Sequence, residues 1–161
     1  MRELGQPFKG MRPGRILAPI FSGNSPQSER FSQAALTGGV VGLMLENIAW
    51  LKVYPQTPLL YQSGVIYKPE KRRVNRDGTV IEYGEDWQTI PYVLYNGFGD
   101  CEDLGAWRAA ELRVRGIKAL PDIKVRHLPD GAWRAHVRVR LPNGRIEDPS
   151  AKLGMYEYAD R

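Results

Sequence analysis

The sequence is poor in the residues that hold small proteins together through covalent or metal bonds. Its 161 residues include one cysteine, Cys101, and two histidines, His127 and His136. A single thiol cannot close an intramolecular disulfide, which excludes the disulfide-rich secreted scaffolds. One cysteine and two histidines are also too few for a Cys/His zinc finger. With 42% hydrophobic and 25% charged residues, a chain of this length can form one domain on a hydrophobic core alone.

Motifs that bind cofactors are missing as well. The sequence contains no phosphate-binding loop, no dinucleotide-binding glycine fingerprint and no set of metal ligands at a recognisable spacing. The acidic run at residues 100–103 (DCED) is better explained by the start of a helix than by a calcium site. We therefore expect neither a cofactor nor a bound metal.

Long uninterrupted apolar runs are also absent. The most hydrophobic stretch, residues 34–51, approaches the length of a membrane span, but Glu46 and Asn47 lie inside it and would be costly in lipid. We expect a buried helix there, broken or weakened at Gly38-Gly39, and no membrane span. The N-terminal residues lack the apolar segment of a signal peptide, so we expect a cytoplasmic or assembly-bound protein that is not secreted.

The net charge of +5 comes from 23 Lys and Arg against 18 Asp and Glu. Residues 1–30 are basic and rich in chain-breaking residues, and we interpret them as an extended arm before a domain at residues 31–161. A second basic group at residues 68–76 is most simply a solvated hairpin face. No nucleic-acid-binding motif accompanies either group. We expect no specific nucleic-acid binding, and protein partners contacted through residues 1–30.

Hydrophobic periodicity and turn residues predict the order of the elements. We expect a helix over residues 28–50, a β-hairpin over residues 64–84 that turns at Asp77-Gly78, and a well-capped helix over residues 100–116. Three short strands are expected after this helix, at residues 123–128, 132–140 and 145–148.

Cys101 lies at the first turn of the best-capped helix, directly after the predicted cap, Asp100. Free backbone N–H groups and the positive end of the helix dipole favour a thiolate there and could bind an oxyanion. The acids Asp100, Glu102 and Asp103 act in the opposite direction, because negative charge raises the pKa of a thiol. Cys101 is thus either a small buried apolar residue or a nucleophile that needs a basic partner.

The second of the three strands supplies such a partner. Its odd positions are apolar, whereas His136 lies on the even, polar face among arginines. If residues 145–148 pair with that strand, Asp148 can approach the imidazole, orient it and stabilise its cation. Each residue also has an ordinary explanation, as a structural strand histidine and as a turn aspartate before proline. His127 is the competing base, and we interpret it as a packing or hairpin residue.

Several segments of the sequence resemble the transglutaminase-like cysteine-hydrolase superfamily. Residues 97–104 (GFGDCEDL) resemble its G-x-G-D-C-E-D core, and residues 106–119 resemble the alanine-rich helix that follows. Residues 87–91 (WQTIP) resemble a segment of the bacterial transglutaminase-like proteinases. Residues 135–139 (AHVRV) and 147–150 (EDPS) resemble the family's histidine and aspartate strands.

The resemblance implies an α+β fold of papain-like type, with the helix that bears the cysteine packed on a small antiparallel sheet. It implies Cys101 as nucleophile, His136 as general base and acid, and Asp148 as the orienting carboxylate. The implied chemistry is acyl transfer from a protein or peptide substrate through a thioester. The backbone N–H of Cys101 and a second donor would bind the oxyanion, and the candidates for that donor are Trp87, Gln88, Tyr95 and Asn96.

The resemblance covers a motif core of about residues 85–155, and this small form is also similar to proteins encoded in the structural gene clusters of tailed phages. An alternative function follows from that similarity. The chain would then be a head–tail or tail subunit of a virion that keeps the fold with weak or no activity. Its location would be the host cytoplasm or the virion.

Overall fold

The computed structural model describes residues 26–69, 73–74, 80–82, 87–127 and 133–158. Positions 1–25 of the predicted arm lie outside the described residues. So does the predicted turn at Asp77-Gly78. The elements below refer to the described ranges alone.

The described part begins with one long helix, α1 (Pro26–Val53), which includes the last residues of the predicted arm. α1 continues through Gly38-Gly39, so the predicted break there is wrong. The cause is packing, because a Cβ atom on Gly39 would lie 2.1 Å from Cζ3 of Trp87. Gly39 therefore serves a close approach and not a bend. One stripe of α1 is buried, formed by Val40, Leu43, Met44, Asn47 and Leu51.

The remaining surface of α1 is also largely apolar. Gln33–Val53 has a mean hydropathy of 1.4 and is long and apolar enough to cross a membrane, a test that core helices of soluble proteins also pass. Leu45 and Val53 are exposed on this helix. On the buried stripe, Asn47 Oδ1 accepts a hydrogen bond from the N–H of Ile90. That the chain has no membrane span stays a prediction.

The predicted hairpin is only partly present. β2 (Arg73–Val74) and β3 (Val80–Glu82) pair in antiparallel fashion. β1 (Ile66–Tyr67), which the sequence places in the same hairpin, pairs instead in parallel with β4 (Phe98–Gly99). Pro69 follows closely after β1 and has no N–H to donate to a continued ladder.

Two helices flank β4. α2 (Ile90–Asn96) is not among the predicted elements, because it is only seven residues long; Pro91 in its first turn and Gly97 at its C-cap are the local signals that indicate it. α3 (Cys101–Val114) matches the predicted helix. Its capping box is present, since the Asp100 carboxylate accepts from the Asp103 N–H and the Asp103 carboxylate accepts from the Asp100 N–H.

The main sheet is antiparallel and holds β5 (Leu120–His127), β6 (Trp133–Arg140) and β7 (Ile146–Glu147) in that order. β7 is shorter than predicted, because Asp148 leaves the ladder and caps α4 (Pro149–Lys152). The described elements also include two 3-10 helices, Leu60–Gln62 and Met155–Tyr158.

The core lies between α1, α3 and one face of this sheet. Val137 and Val139 of β6 and Ile123 of β5 are buried there, as the alternation of apolar residues predicts. Gly105 lets α3 approach the sheet, because a Cβ atom at that position would lie 2.6 Å from Cγ1 of Val137. The predicted α+β class is confirmed. His136 lies on the opposite face of β6 from this core, one residue before Val137.

Candidate active site

Cys101 is the first residue of α3, and its side chain is buried. Sγ lies 3.0 Å from Oε2 of Glu102, the next residue on the helix. The backbone N–H of Val137 lies close enough to the sulfur to lower the pKa of the thiol. The thiol therefore lies against the peptide bond that joins His136 to Val137.

The surroundings of Cys101 keep its thiol protonated. Burial raises its pKa well above the usual value, and the negative charges of Glu102 and Asp100 raise it further. The hydrogen bond from Val137 lowers the pKa but does not offset these effects. Burial is therefore the largest cause of the raised pKa, and the acids that the sequence indicates add to it.

His136 and Asp148 form a direct pair. Nε2 of His136 lies 2.7 Å from Oδ2 of Asp148, and each side chain is about a quarter exposed. The second oxygen of Asp148, Oδ1, accepts the N–H of Ala151 at 3.0 Å, which fixes the carboxylate at the start of α4. The imidazole uses Nε2 for this contact, and within the described residues Nδ1 has no hydrogen-bond partner.

The structure thus pairs His136 with Asp148 and places Cys101 beside Val137, but among the described residues it shows no contact between the thiol and the imidazole. Cys101 contacts β6 through the backbone N–H of Val137, next to His136 in the chain. Among the described residues, the hydrogen bond of the thiol goes to Glu102 and not to the imidazole. His127 lies at the far end of β5, paired with Trp133.

The candidates for the second oxyanion donor lie in different surroundings. Trp87 is buried against Gly39 of α1, which is a packing position. Gln88 donates to the Asp103 carboxylate through its backbone N–H at 2.6 Å and its side-chain Nε2 at 3.2 Å. Asn96 Nδ2 in turn donates to Gln88 Oε1 at 2.6 Å. Tyr95 is highly exposed.

Gln88 is the candidate most firmly attached to the start of α3. Asp103, which holds its amide, is fully buried and also accepts the N–H of Asp100, the residue before Cys101. An amide nitrogen has two hydrogens, so the contact with Asp103 leaves Gln88 one further donor. The sequence does not reveal this link, because residues 88 and 103 are far apart in the chain and on different elements.

A polar cluster beneath α3 was missed by sequence reasoning altogether. Arg108 of α3 lies 2.7 Å from Glu147 of β7 and 3.1 Å from Glu111. The hydroxyl of Tyr61 donates to Glu147 at 2.5 Å, and Lys152 lies 3.7 Å from the same carboxylate. Glu147 directly precedes Asp148, so the cluster fixes the strand end from which Asp148 projects. An Arg–Glu spacing of three residues on α3 was the one signal in the sequence.

The pKa values of the two acids in this cluster, Glu111 and Glu147, are shifted in opposite directions. Burial raises the pKa of Glu111, and the Leu60 N–H and Arg108 offset only part of that effect. Burial also works to raise the pKa of Glu147, but hydrogen bonds from Arg108 and Tyr61 outweigh it and hold that pKa below its usual value. Burial, with Glu147 as hydrogen-bond acceptor, raises the pKa of Tyr61. Glu147 is therefore a charged anchor at neutral pH.

Two arginines on the face of β6 that carries His136, Arg138 and Arg140, are paired. Arg138 lies 2.6 Å from Asp122 of β5, and Arg140 pairs with the same carboxylate. Burial works to raise the pKa of Asp122, but the hydrogen bonds from Arg140 and Arg138 outweigh it and lower that pKa. Lys124, which faces His136 across the ladder, is exposed.

The described residues hold no group of three or more His, Cys, Asp or Glu side chains that could bind a metal ion. A groove of about 490 Å³ lies between β1 and α4. Its walls are mainly apolar and aromatic and include Ile66, Tyr67, Leu153 and Tyr156. Such a lining suits an organic segment better than an ion.

Similarity to known proteins leaves the function open. No protein-family model, no curated protein and no solved structure matches this chain. The function must therefore be argued from the geometry and chemistry of the site.

Proposed function

We propose that this chain is a cysteine hydrolase of the transglutaminase-like type, which uses Cys101, His136 and Asp148 for acyl transfer from a protein or peptide. The observation that carries the proposal is the 2.7 Å contact between Asp148 and His136, the residue before Val137, whose backbone N–H approaches the chain's one thiol. A carboxylate on Nε2 fixes the tautomer and orientation of the ring and stabilises its protonated form. It also leaves Nδ1 for the proton of a nucleophile.

The proposed reaction has two halves. In the first, His136 takes the proton of the Cys101 thiol, the sulfur attacks the carbonyl carbon, and the imidazolium returns the proton to the leaving amine, which gives a thioester. In the second, His136 removes a proton from water as the water oxygen attacks the thioester, the carboxylic acid is released, and the imidazolium returns its proton to the departing Cys101 sulfur. An amine in place of water would give a cross-link. The backbone N–H of Cys101 and the amide of Gln88 are the donors we assign to the oxyanion.

A papain-like arrangement is part of this proposal. The start of α3 bears the nucleophile, and the antiparallel strands β6 and β7 lead to the base and its carboxylate. The contact between the Val137 N–H and Sγ supports it, because this contact holds the helix start against the strand that carries the histidine. Asp148 at the junction of β7 and α4 supports it in the same way.

Turnover of p-nitrophenyl acetate tests the proposal, because this small activated ester needs no specific recognition. We expect the intact protein to hydrolyse it and Cys101→Ala to abolish that activity. We expect His136→Ala to lower the rate by about 100-fold or more, as removal of a general base does. His127→Ala is the matched control and retains the rate. Equal rates for the His136→Ala variant and the intact protein would contradict the proposal.

One observation favours a second candidate function. A buried, protonated thiol that is hydrogen-bonded to Glu102 is also expected in an active site that has lost its activity. In that case the chain is a virion structural or assembly subunit, with protein partners bound through residues 1–30. That function predicts no Cys101-dependent ester turnover. It also predicts that Cys101→Ala and His136→Ala variants assemble with partner proteins as the intact chain does.

A further inference from the structure

A buried carboxylate lies directly beside the proposed nucleophile. Glu102 is 5% exposed, and its Oε2 is 3.0 Å from Sγ of Cys101. A thiol is a weak hydrogen-bond donor and an ionised carboxylate accepts only, so the shared hydrogen in this contact stays on the sulfur. The proposed base, His136, needs that same proton. Glu102 and His136 therefore compete for the hydrogen of the Cys101 thiol.

We propose that Glu102 is a positioning residue that holds Cys101 in its protonated form, and that His136 takes the proton only when this hydrogen bond opens. The inference rests on the proposed function and adds a means of regulation to it. When the bond opens, the thiol proton passes to Nδ1 of His136. The sulfur becomes a thiolate and the ring an imidazolium that remains paired with Asp148. Glu102 keeps its charge throughout and returns to the thiol after turnover.

Other charged residues lie on the elements that pack against the start of α3, but none replaces Glu102. Within the described residues, Asp100 caps α3, Asp103 lies in its first turn, His136 and Arg138 lie on β6, and Asp148 lies before α4. Asp103 is committed to Gln88 and to the cap of α3, and Arg138 is paired with Asp122. Glu102 alone among these acids accepts a hydrogen bond from Sγ.

The raised pKa of the thiol is also consistent with this role of Glu102. Its pKa is raised by burial first and then by the charge of Glu102, ahead of the charge of Asp100. Removal of the Glu102 charge should therefore lower the thiol pKa even if the sulfur stays buried. A purely structural glutamate at this position would affect folding without affecting the titration of the sulfur.

The test is to titrate the thiol in a Glu102→Gln variant, which keeps the shape of the side chain and removes its charge. Because Cys101 is the one cysteine in the chain, thiolate absorbance and iodoacetamide alkylation both report on it alone. We expect the apparent thiol pKa to fall by at least about one unit. The alkylation rate at neutral pH should then rise about threefold per unit, because the gain in thiolate exceeds its loss of nucleophilicity.

Glu46→Gln is the matched control, since it removes the same charge from an exposed position on α1. We expect it to leave the titration unchanged. An unchanged thiol pKa in both Glu102→Gln and Glu102→Ala would overturn the inference. If neither variant folds, the S–H stretching band of the intact protein decides. A band shifted to lower frequency than that of a cysteine peptide supports the inference, and an unshifted band overturns it.

A double variant, Glu102→Gln with His136→Ala, separates this inference from the proposed function. If the faster alkylation disappears in the double variant, both the inference about Glu102 and the proposed function stand. If it persists, Glu102 restrains the thiol as inferred but His136 is not the base, and the proposed function fails alone. If Glu102→Gln changes nothing while His136→Ala still abolishes ester turnover, the proposed function stands and the inference fails.

Discussion

At the residue scale, two glycines determine how closely the layers around the site approach one another. Gly39 receives the ring of Trp87, and Gly105 receives the side chain of Val137. Each contact holds a neighbour of a proposed site residue, since Gln88 follows Trp87 and His136 precedes Val137. From the sequence, Gly39 predicts a weak point in the helix and not a packing contact, because it belongs to a glycine pair. The contact with Trp87, which is distant in the sequence, explains why a glycine stands at this position of a continuous helix.

The role of Gly39 predicts a stability difference between two neighbouring glycines on α1. Gly39→Ala should lower the free energy of unfolding by about 1–3 kcal/mol, because the new methyl group collides with the Trp87 ring. Gly42→Ala has open space around its Cβ, and should raise the free energy of unfolding by about 1 kcal/mol through better helix propensity. Urea denaturation of the two variants measures both. A stabilised Gly39→Ala variant would show that the ring does not lie where we describe it.

At the element scale, local signals predict α3 well and the paired strands in part. Asp100 and Asp103 form the expected capping box, because a cap depends on residues only three positions apart. The alternation of Val137 and Val139 predicts the buried face of β6 for the same reason. Partners that are distant in sequence are not predicted in this way. β1 pairs with β4 and not with the next strand, and α2 is too short to show a helical periodicity although Gly97 ends it.

In the candidate site, too, local features are predicted from the sequence and contacts between distant residues are not. The sequence singles out Cys101, His136 and Asp148, because each stands at a distinctive place on its own element. It does not show that Asp103 holds Gln88, because that contact joins two elements across the core. It does not show which acid accepts the thiol hydrogen, since a helix start offers several acids and the backbone conformation selects among them.

The cluster beneath α3 predicts a large effect from one arginine. Arg108→Met should lower the free energy of unfolding by about 3 kcal/mol, because Glu111 and Glu147 remain buried without their shared cation. Arg115→Met, an exposed position just after α3, is the control, and should change the stability by less than about 0.5 kcal/mol. Thermal or urea unfolding at neutral pH compares the two. A loss no larger than that of Arg115→Met would contradict the assigned role of the cluster.

The same variant has a defined pH dependence. In the intact protein the pKa of Glu147 lies below its usual value, so its contribution is present at neutral pH and disappears as the pH falls through that lowered pKa. Without Arg108, we expect the pKa values of Glu147 and Glu111 to lie above those of the unfolded chain. The two unpaired carboxylates then lower the free energy of unfolding most at neutral pH, and this destabilisation decreases as they become protonated. The stability deficit of Arg108→Met should therefore shrink between about pH 7 and pH 4.

At the scale of the whole molecule, the described residues form an α+β core that joins one apolar helix to a small sheet. The proposed site combines a thiol that contacts a carboxylate with an imidazole–carboxylate pair. On the face of β6 that carries His136, Arg138 and Arg140 are paired with Asp122. We propose that this arrangement is an acyl-transfer site whose thiol is held in its protonated form.

The most direct measurement of the central claim is the mass of the acyl group trapped on the protein. The chain is mixed briefly with p-nitrophenyl acetate, quenched in acid and mapped as peptides by mass spectrometry. The account predicts one acetyl group, attached to Cys101 as a thioester, which forms much more slowly in His136→Ala than in His127→Ala. An acetyl group found only on lysines, or on Cys101 at the same rate in both histidine variants, would contradict it.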